Sequence, residues 1–128
     1  MARLIVLQAT GTARQVHLGK LPFSVGRAQS CDLVLDNAQV SRLHASFHAV
    51  GERIEIVDAG SNNGTWVNGH RVKRSALSSG DELRLGACML RFLSDGGDFS
   101  DTQALRLVTA PGRLDELELR KLAPRQSA

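Results

Sequence analysis

Three short clusters hold the side chains of this 128-residue chain that could do chemistry. Arg27 follows Gly26, Ser41 and His44 are separated by two intervening residues, and Ser61-Asn62-Asn63 opens a run that continues through Gly64, Thr65, Trp66, Asn68 and Gly69. The stretch from Asp58 to Gly69 carries two Asn-Gly dipeptides, each able to place residues at positive φ at little steric cost. Its tip therefore projects amides and a hydroxyl outward from a constrained turn, which suits the binding of a polar group. Ser41, His44 and Asp58 are also the inventory of nucleophile, base and orienter for acyl transfer. That reading fails on context, because Ser-x-x-His lacks a nucleophile elbow and no second acid or metal set accompanies it. Arg42, Arg71, Lys73 and Arg74 could meet nucleic-acid phosphates. The chain has no Tyr, however, and its few Phe residues fall on predicted strand cores, so the interleaved exposed aromatics of a nucleic-acid binder are missing.

The elements that must position these residues are short strands. Leu4–Leu7 and Gln15–Leu18 predict a hairpin, Phe23–Val25 alternates until Gly26 stops it, and Leu33–Leu35 reads as a brief buried strand. His44–Val50, with Ala45, Phe47 and Ala49 on one face, pairs through Gly51-Glu52 with Arg53–Val57 and delivers the chain to the 58–69 loop. Thr65–Val67, the edge Arg71-Val72, a turn over Leu77–Asp81, Glu82–Leu85 and Cys88–Leu93 follow. About ten or eleven short strands without a helical period before residue 94 predict an all-β, two-sheet sandwich. Ser94–Ser100 contains Asp95-Gly96-Gly97-Asp98 and reads as a linker. The expected organisation is a domain over 1–94 and a tail over 95–128, in which Leu114, Leu117 and Leu122 predict a short amphipathic helix at 113–123.

The excess of 16 Lys and Arg over 13 Asp and Glu gives a net charge of +3, which favours anionic partners without approaching the charge of a nucleic-acid-binding arm. Cys31 and Cys88 are isolated, so neither a zinc site nor a disulfide framework is suggested, and reduced, buried thiols are expected. The opening apolar run is too short for a signal-peptide core, and nothing later reaches membrane-spanning length. A cytoplasmic protein with no membrane partner, metal or cofactor is the expectation.

Taken together, Gly26-Arg27, Ser41-x-x-His44 and Ser61-Asn62-Asn63-Gly64-Thr65 with Asn68-Gly69 resemble the forkhead-associated (FHA) domain, a phosphothreonine-peptide-binding β-sandwich. By motif the resemblance covers Pro22 to Leu93. It implies a non-enzymatic module for phosphothreonine-dependent protein interaction in serine/threonine kinase signalling, with a phosphothreonine-containing protein or kinase as partner. A phosphate-independent adaptor that kept the fold is the alternative. The positions matching Arg27 and Ser41 hold the phosphate in the family, the one matching Arg42 assists, and those matching Asn62 and Asn63 contact the threonine region and peptide backbone. Asn62 departs from the small residue or Thr often found there, which bears on the shape of the γ-methyl pocket. Gln39 matches the position that tunes preference for the third peptide residue after phosphothreonine. His44 is implied as an internal brace and Trp66 as packing, with Gly26, Gly64 and Gly69 acting through backbone shape and Thr65 and Asn68 through hydrogen bonds that hold the loop.

Physical chemistry asks for the same groups. A phosphate ester carries about −1.5 to −2 charges and three acceptor oxygens, so its receptor needs a fixed cation and several short donors. Arg27 offers a guanidinium fork, Ser41 a hydroxyl and a backbone N–H, and Arg42 a second cation. Thr102 lies in Phe99–Leu105, read as a flexible acidic segment, and is a candidate phosphosite. Some bacterial members of the family are switched when a threonine outside the domain is phosphorylated and occupies the domain's own pocket. The same event at Thr102 would fill this pocket or that of a second copy, giving self-association through the tail.

Overall fold

A computed structural model describes residues 2–94 and 99–124 of the chain. Its strands are β1 (Arg3–Leu7), β2 (Ala13–His17), β3 (Phe23–Gly26), β4 (Leu33–Val34), β5 (Ala45–Val50), β6 (Arg53–Asp58), β7 (Thr65–Val67), β8 (His70–Val72), β9 (Arg74–Ala76), β10 (Glu82–Leu85) and β11 (Cys88–Leu93). They form a six-stranded sheet, ordered β2-β1-β11-β10-β7-β8, and a five-stranded sheet, ordered β4-β3-β5-β6-β9. The pairing is antiparallel apart from β3 with β4, where Val25 stands opposite Leu33. The inner faces meet through Leu4, Val6, Leu83, Leu85, Leu90 and Phe92 on one side and Phe23, Val25, Ala45, Phe47 and Ile56 on the other. Phe23 and Phe47 are register partners, and their rings pack edge to face at 6.4 Å. This is the all-β sandwich that the alternation predicts.

Local details depart from the sequence pattern. Ala49 was expected on the core face of β5 but is exposed, as is Val50, because this hairpin runs past the end of the core. Arg74–Ala76, too short and polar to read as a strand, becomes one because Glu55 and Val57 of β6 pair with it, and Arg74 Nε reaches Glu55 at 3.3 Å. Cys31 and Cys88 are free thiols, half-buried where buried ones were expected.

The region after the sandwich differs more. Asp95–Asp98, the centre of the expected linker, lies outside the described residues. The segment expected to be flexible is a helix, α1 (Asp101–Thr109), and the helix expected over 113–123 is the shorter α2 (Glu116–Leu122). Each starts with a capping box: Ser100 with Gln103 in α1, and Asp115 with Glu118 in α2. Short helices are marginal alone, so packing must supply the rest. Ala104, Leu107 and Val108 lie at i, i+3 and i+4 and bury against Ile5 and Leu93 on the outer face of the six-stranded sheet. A fully buried Leu such as Leu107 contributes about 1.5 to 3 kcal/mol. None of the described helices is long and apolar enough to cross a membrane.

Beneath this cover Arg91 is wholly buried. Its Nε donates to Leu107 O at 2.8 Å and one Nη donates to Gly80 O at 2.9 Å, and the remaining donors reach Gly112 O and Ala110 O. The guanidinium thus satisfies carbonyls at the C-terminal end of α1, where the helix dipole favours a cation. Burial pulls its pKa below the ordinary arginine value, against the carboxylates of Glu82, Asp81 and Glu118. Arg91→Met keeps an apolar stem but removes the donor shared by these carbonyls. Urea unfolding should show a loss of roughly 3 to 5 kcal/mol, the usual cost of breaking a buried charge network.

Candidate functional site

Gly26 and Arg27 end β3 where the loop between β4 and β5 crosses over it. A Cβ on Gly26 would lie 2.2 Å from Arg42 O, so only glycine lets the two backbones approach this closely. The approach is locked by Arg27 N–H donating to Ser41 O and Ala28 N–H to Arg42 O, both at 3.0 Å. Arg27 Nε donates to Val40 O at 3.0 Å, which anchors an otherwise exposed guanidinium and leaves its Nη donors for an external anion. The Arg42 side chain is exposed and has no hydrogen-bond or ion-pair partner among the described residues.

His44 is wholly buried between two loops. Ser41 N–H donates to Nδ1 at 3.1 Å, so the ring proton sits on Nε2, which donates to Gly64 O at 2.8 Å. Both nitrogens are therefore committed to the backbone, and neither can take the Ser41 hydroxyl proton. Asp58 bonds to Ser61 and Thr65 rather than to the imidazole, so the triad considered from the sequence is not assembled. One expectation also changes. The Ser41 backbone N–H, read as a donor for an anion, faces His44 instead. The Ser41 hydroxyl oxygen accepts from Asn62 N–H at 3.2 Å and keeps its own proton to donate outward.

Asp58 builds the loop that follows. Its Oδ1 accepts from the hydroxyls of Ser61 at 2.5 Å and Thr65 at 2.6 Å, and its Oδ2 accepts from the N–H groups of Gly60 and Ser61. Ser61 Oγ accepts in turn from Gly64 N–H at 3.1 Å. Burial pushes the Asp58 carboxyl up, but the donors from Ser61, Thr65 and Gly60 outweigh it and hold the carboxyl below its ordinary value. With its base fixed this way, the loop leaves Asn62 and Asn63 exposed at the tip. Asn63 Nδ2 donates to Gln39 O at 2.8 Å, tying the tip to the β4–β5 loop, and the indole N–H of Trp66 caps Asn63 O at 3.1 Å. Gly64 has φ +88°, the left-handed conformation its place in the sequence suggests.

These bonds bring Arg27, Gln39, Ser41, Asn62 and Asn63 together on three adjoining loops, with Arg42 on the same stretch. Asn68 and Gly69 stand apart from them. Both adopt positive φ in the turn from β7 to β8, and Asn68 bonds Asp81 and Glu82 instead of the 58–64 loop. Thr102 is exposed in the first turn of α1, which packs on β1, β2 and β11.

A family model described as "FHA domain" matches residues 23–86, half of the chain. The chain belongs to the FHA family. It is 39% identical over 93 residues to an oxoglutarate dehydrogenase inhibitor of Corynebacterium jeikeium, a match covering 73% of this chain and 65% of that one. The FHA chain thus spans less than two thirds of that relative's length. Among solved structures, EmbR of Mycobacterium tuberculosis in complex with a low-affinity phosphopeptide aligns with a TM-score of 0.68 and 31% identity, covering 77% of this chain and 26% of that one. The MEK1 FHA domain in complex with a HOP1 phosphothreonine peptide aligns with a TM-score of 0.59 and 29% identity, covering 72% and 94%.

Two parts of this FHA site escaped sequence reasoning. Asp58 was considered only as a catalytic orienter, although its spacing to Ser61 and Thr65 was a legible signal for a side-chain-capped turn. Gly86 carries no motif signal in the sequence. It has φ +59° and passes so close to Gln39 that a Cβ would lie 2.4 Å from Gln39 O. Because the folded Asp58 carboxyl has a lowered pKa, its contribution to stability is present above the ordinary carboxylate value and lost as pH falls through the lowered one. Acid titration should therefore cost the wild type stability in that range, and Asp58→Asn should flatten the dependence. A second substitution, Gly26→Ala, should lower the melting temperature by several degrees, since about 1 kcal/mol shifts a domain of this size by roughly 3 to 6 °C.

Proposed function

We propose that this chain is a phosphothreonine-dependent interaction module acting in serine/threonine kinase signalling in the cytoplasm, where it binds a phosphothreonine-containing protein or kinase. The carrying observation is the convergence of the Arg27 guanidinium, the outward Ser41 hydroxyl and the exposed Asn62 and Asn63 amides on one hydrogen-bonded scaffold. In this reading Arg27 and Ser41 hold the phosphate, Arg42 adds charge, Asn62 and Asn63 contact the threonine and the peptide backbone, and Gln39 meets the third residue beyond it. The phosphopeptide complexes of the similar EmbR and MEK1 structures support it. The commitment of both His44 nitrogens to backbone groups supports binding over catalysis.

Thr102 as a self-ligand carries a conformational cost. A phosphate there would sit in the first turn of α1, where the helix dipole favours negative charge. To enter the pocket as an extended peptide, that turn would have to unwind and give up the Ser100–Gln103 capping box.

Calorimetry with a phosphothreonine peptide tests the proposal. Arg27→Ala should weaken binding by about 2 to 5 kcal/mol while circular dichroism stays unchanged. A matched phosphoserine peptide should bind about 1 kcal/mol less tightly, the worth of one methyl in a pocket. Unchanged affinity on losing Arg27 would remove the phosphate site, and binding that survives phosphatase treatment of the partner would establish the phosphate-independent adaptor instead.

A further inference from the structure

On the outer face of the six-stranded sheet α1 packs over β1, β2 and β11 with α2 against it, and neither described helix packs on β7 or β8. On that side Trp66 of β7 stands opposite Arg71 of β8 and Arg84 of β10, and Arg84 in turn stands opposite Met89 of β11. Register partners share a face, so these side chains form one continuous surface. The Arg84 guanidinium lies over the indole at 5.0 Å from the ring centroid. Arg71 flanks the other strand, packed so closely on Gly64 that a Cβ there would lie 2.7 Å from its Nε. Both arginines are exposed, and neither has a hydrogen-bond or ion-pair partner among the described residues. The nearby carboxylate on this face, Glu82, is already engaged by Gly112 N–H at 2.7 Å.

We propose that this surface binds an acidic segment flanking the phosphothreonine of the partner protein, with carboxylates forked by Arg71 and Arg84 on either side of Trp66. The inference rests on the phosphothreonine reading above and extends it to a second, adjoining contact. Continuity with the peptide loop is direct: Trp66 caps the Asn63 carbonyl and Arg71 covers Gly64. Charge complementarity sets the ligand, because two uncompensated guanidiniums match carboxylates bidentately. The geometry favours an acidic peptide over nucleic acid, since Arg84 already occupies a face of the indole on which a base would stack. Stacking also holds the guanidinium in place before the ligand arrives, which lowers the ordering cost of the contact.

The test compares a core phosphothreonine peptide with the same peptide carrying a run of glutamates at either end, using calorimetry and the fluorescence of Trp66, the chain's one tryptophan. The wild type should bind one of the extended peptides about five-fold more tightly than the core, as a few exposed charge pairs allow. That gain should vanish in Arg71→Ala/Arg84→Ala and persist in Arg14→Ala/Arg53→Ala, which removes equal charge from exposed sites elsewhere. It should also fade at roughly 0.5 M salt, where the screening length falls well below 10 Å, and be accompanied by a change in Trp66 emission. Equal affinity of extended and core peptides, or a gain that survives loss of Arg71 and Arg84, overturns the inference while leaving the phosphothreonine site intact. A single-stranded oligonucleotide that perturbs Trp66 where the glutamate extensions do not overturns it in favour of nucleic acid. Failure of every phosphopeptide to bind overturns the phosphothreonine reading, and this inference with it.

Discussion

The surface proposed to bind phosphothreonine depends on one imidazole held between two backbone segments. His44 accepts from the Ser41 N–H and donates to the Gly64 carbonyl, so it sets the distance between the β4–β5 loop and the loop leaving β6. A buried side chain with two ring nitrogens on opposite edges can join loops that no strand ladder connects. Leaving either backbone group unpaired in the interior would be costly, so the bridge is self-enforcing. Everything that makes the site usable follows from that separation. Ser41 Oγ comes within reach of Asn62 N–H, Asn63 Nδ2 within reach of Gln39 O, and Arg27 is pinned beneath them through Val40 O.

The loops are then stiffened by devices of different kinds. Asp58 collects hydroxyl and N–H donors and converts a run of turn formers into a rigid platform. Gly26 and Gly86 do the opposite, removing atoms so that the backbones of Arg42 and Gln39 can pass against them. A recognition surface built this way carries its exposed amides on a frame whose own polar groups are already satisfied. It loses little entropy when a ligand arrives.

Away from the site, Arg91 does for the helical cover what His44 does for the loops. It reaches from β11 into the end of α1 and the turn after it, satisfying the carbonyls of Leu107, Gly80, Gly112 and Ala110. The cover leaves part of the same sheet face open, and that contrast is what makes the Arg71–Trp66–Arg84 surface stand out. One half is roofed by the described helices over Ile5, Leu93 and Arg91, while the other presents Arg71 and Arg84 with no described helix packed on it.

Much of this was legible in the sequence because strand alternation and turn chemistry are local. The hairpins, the inner core positions of β3, β5 and β10, and the left-handed glycine at Gly64 all follow from near neighbours and steric rules. The helical cover had a signal too: Ser100-x-x-Gln103 is a capping box, Ala104, Leu107 and Val108 keep helical spacing, and Leu4–Leu7 is apolar on both faces of its strand. That signal was ambiguous, because a nine-residue helix is stable only when something covers its apolar side, and Ile5 lies near the other end of the chain. The burial of an arginine at 91 and the pairing of the polar strand at 74–76 were not legible at all. Each is decided by a partner that folding brings alongside, α1 over Arg91 and β6 beside the 74–76 strand, and no local propensity encodes that proximity.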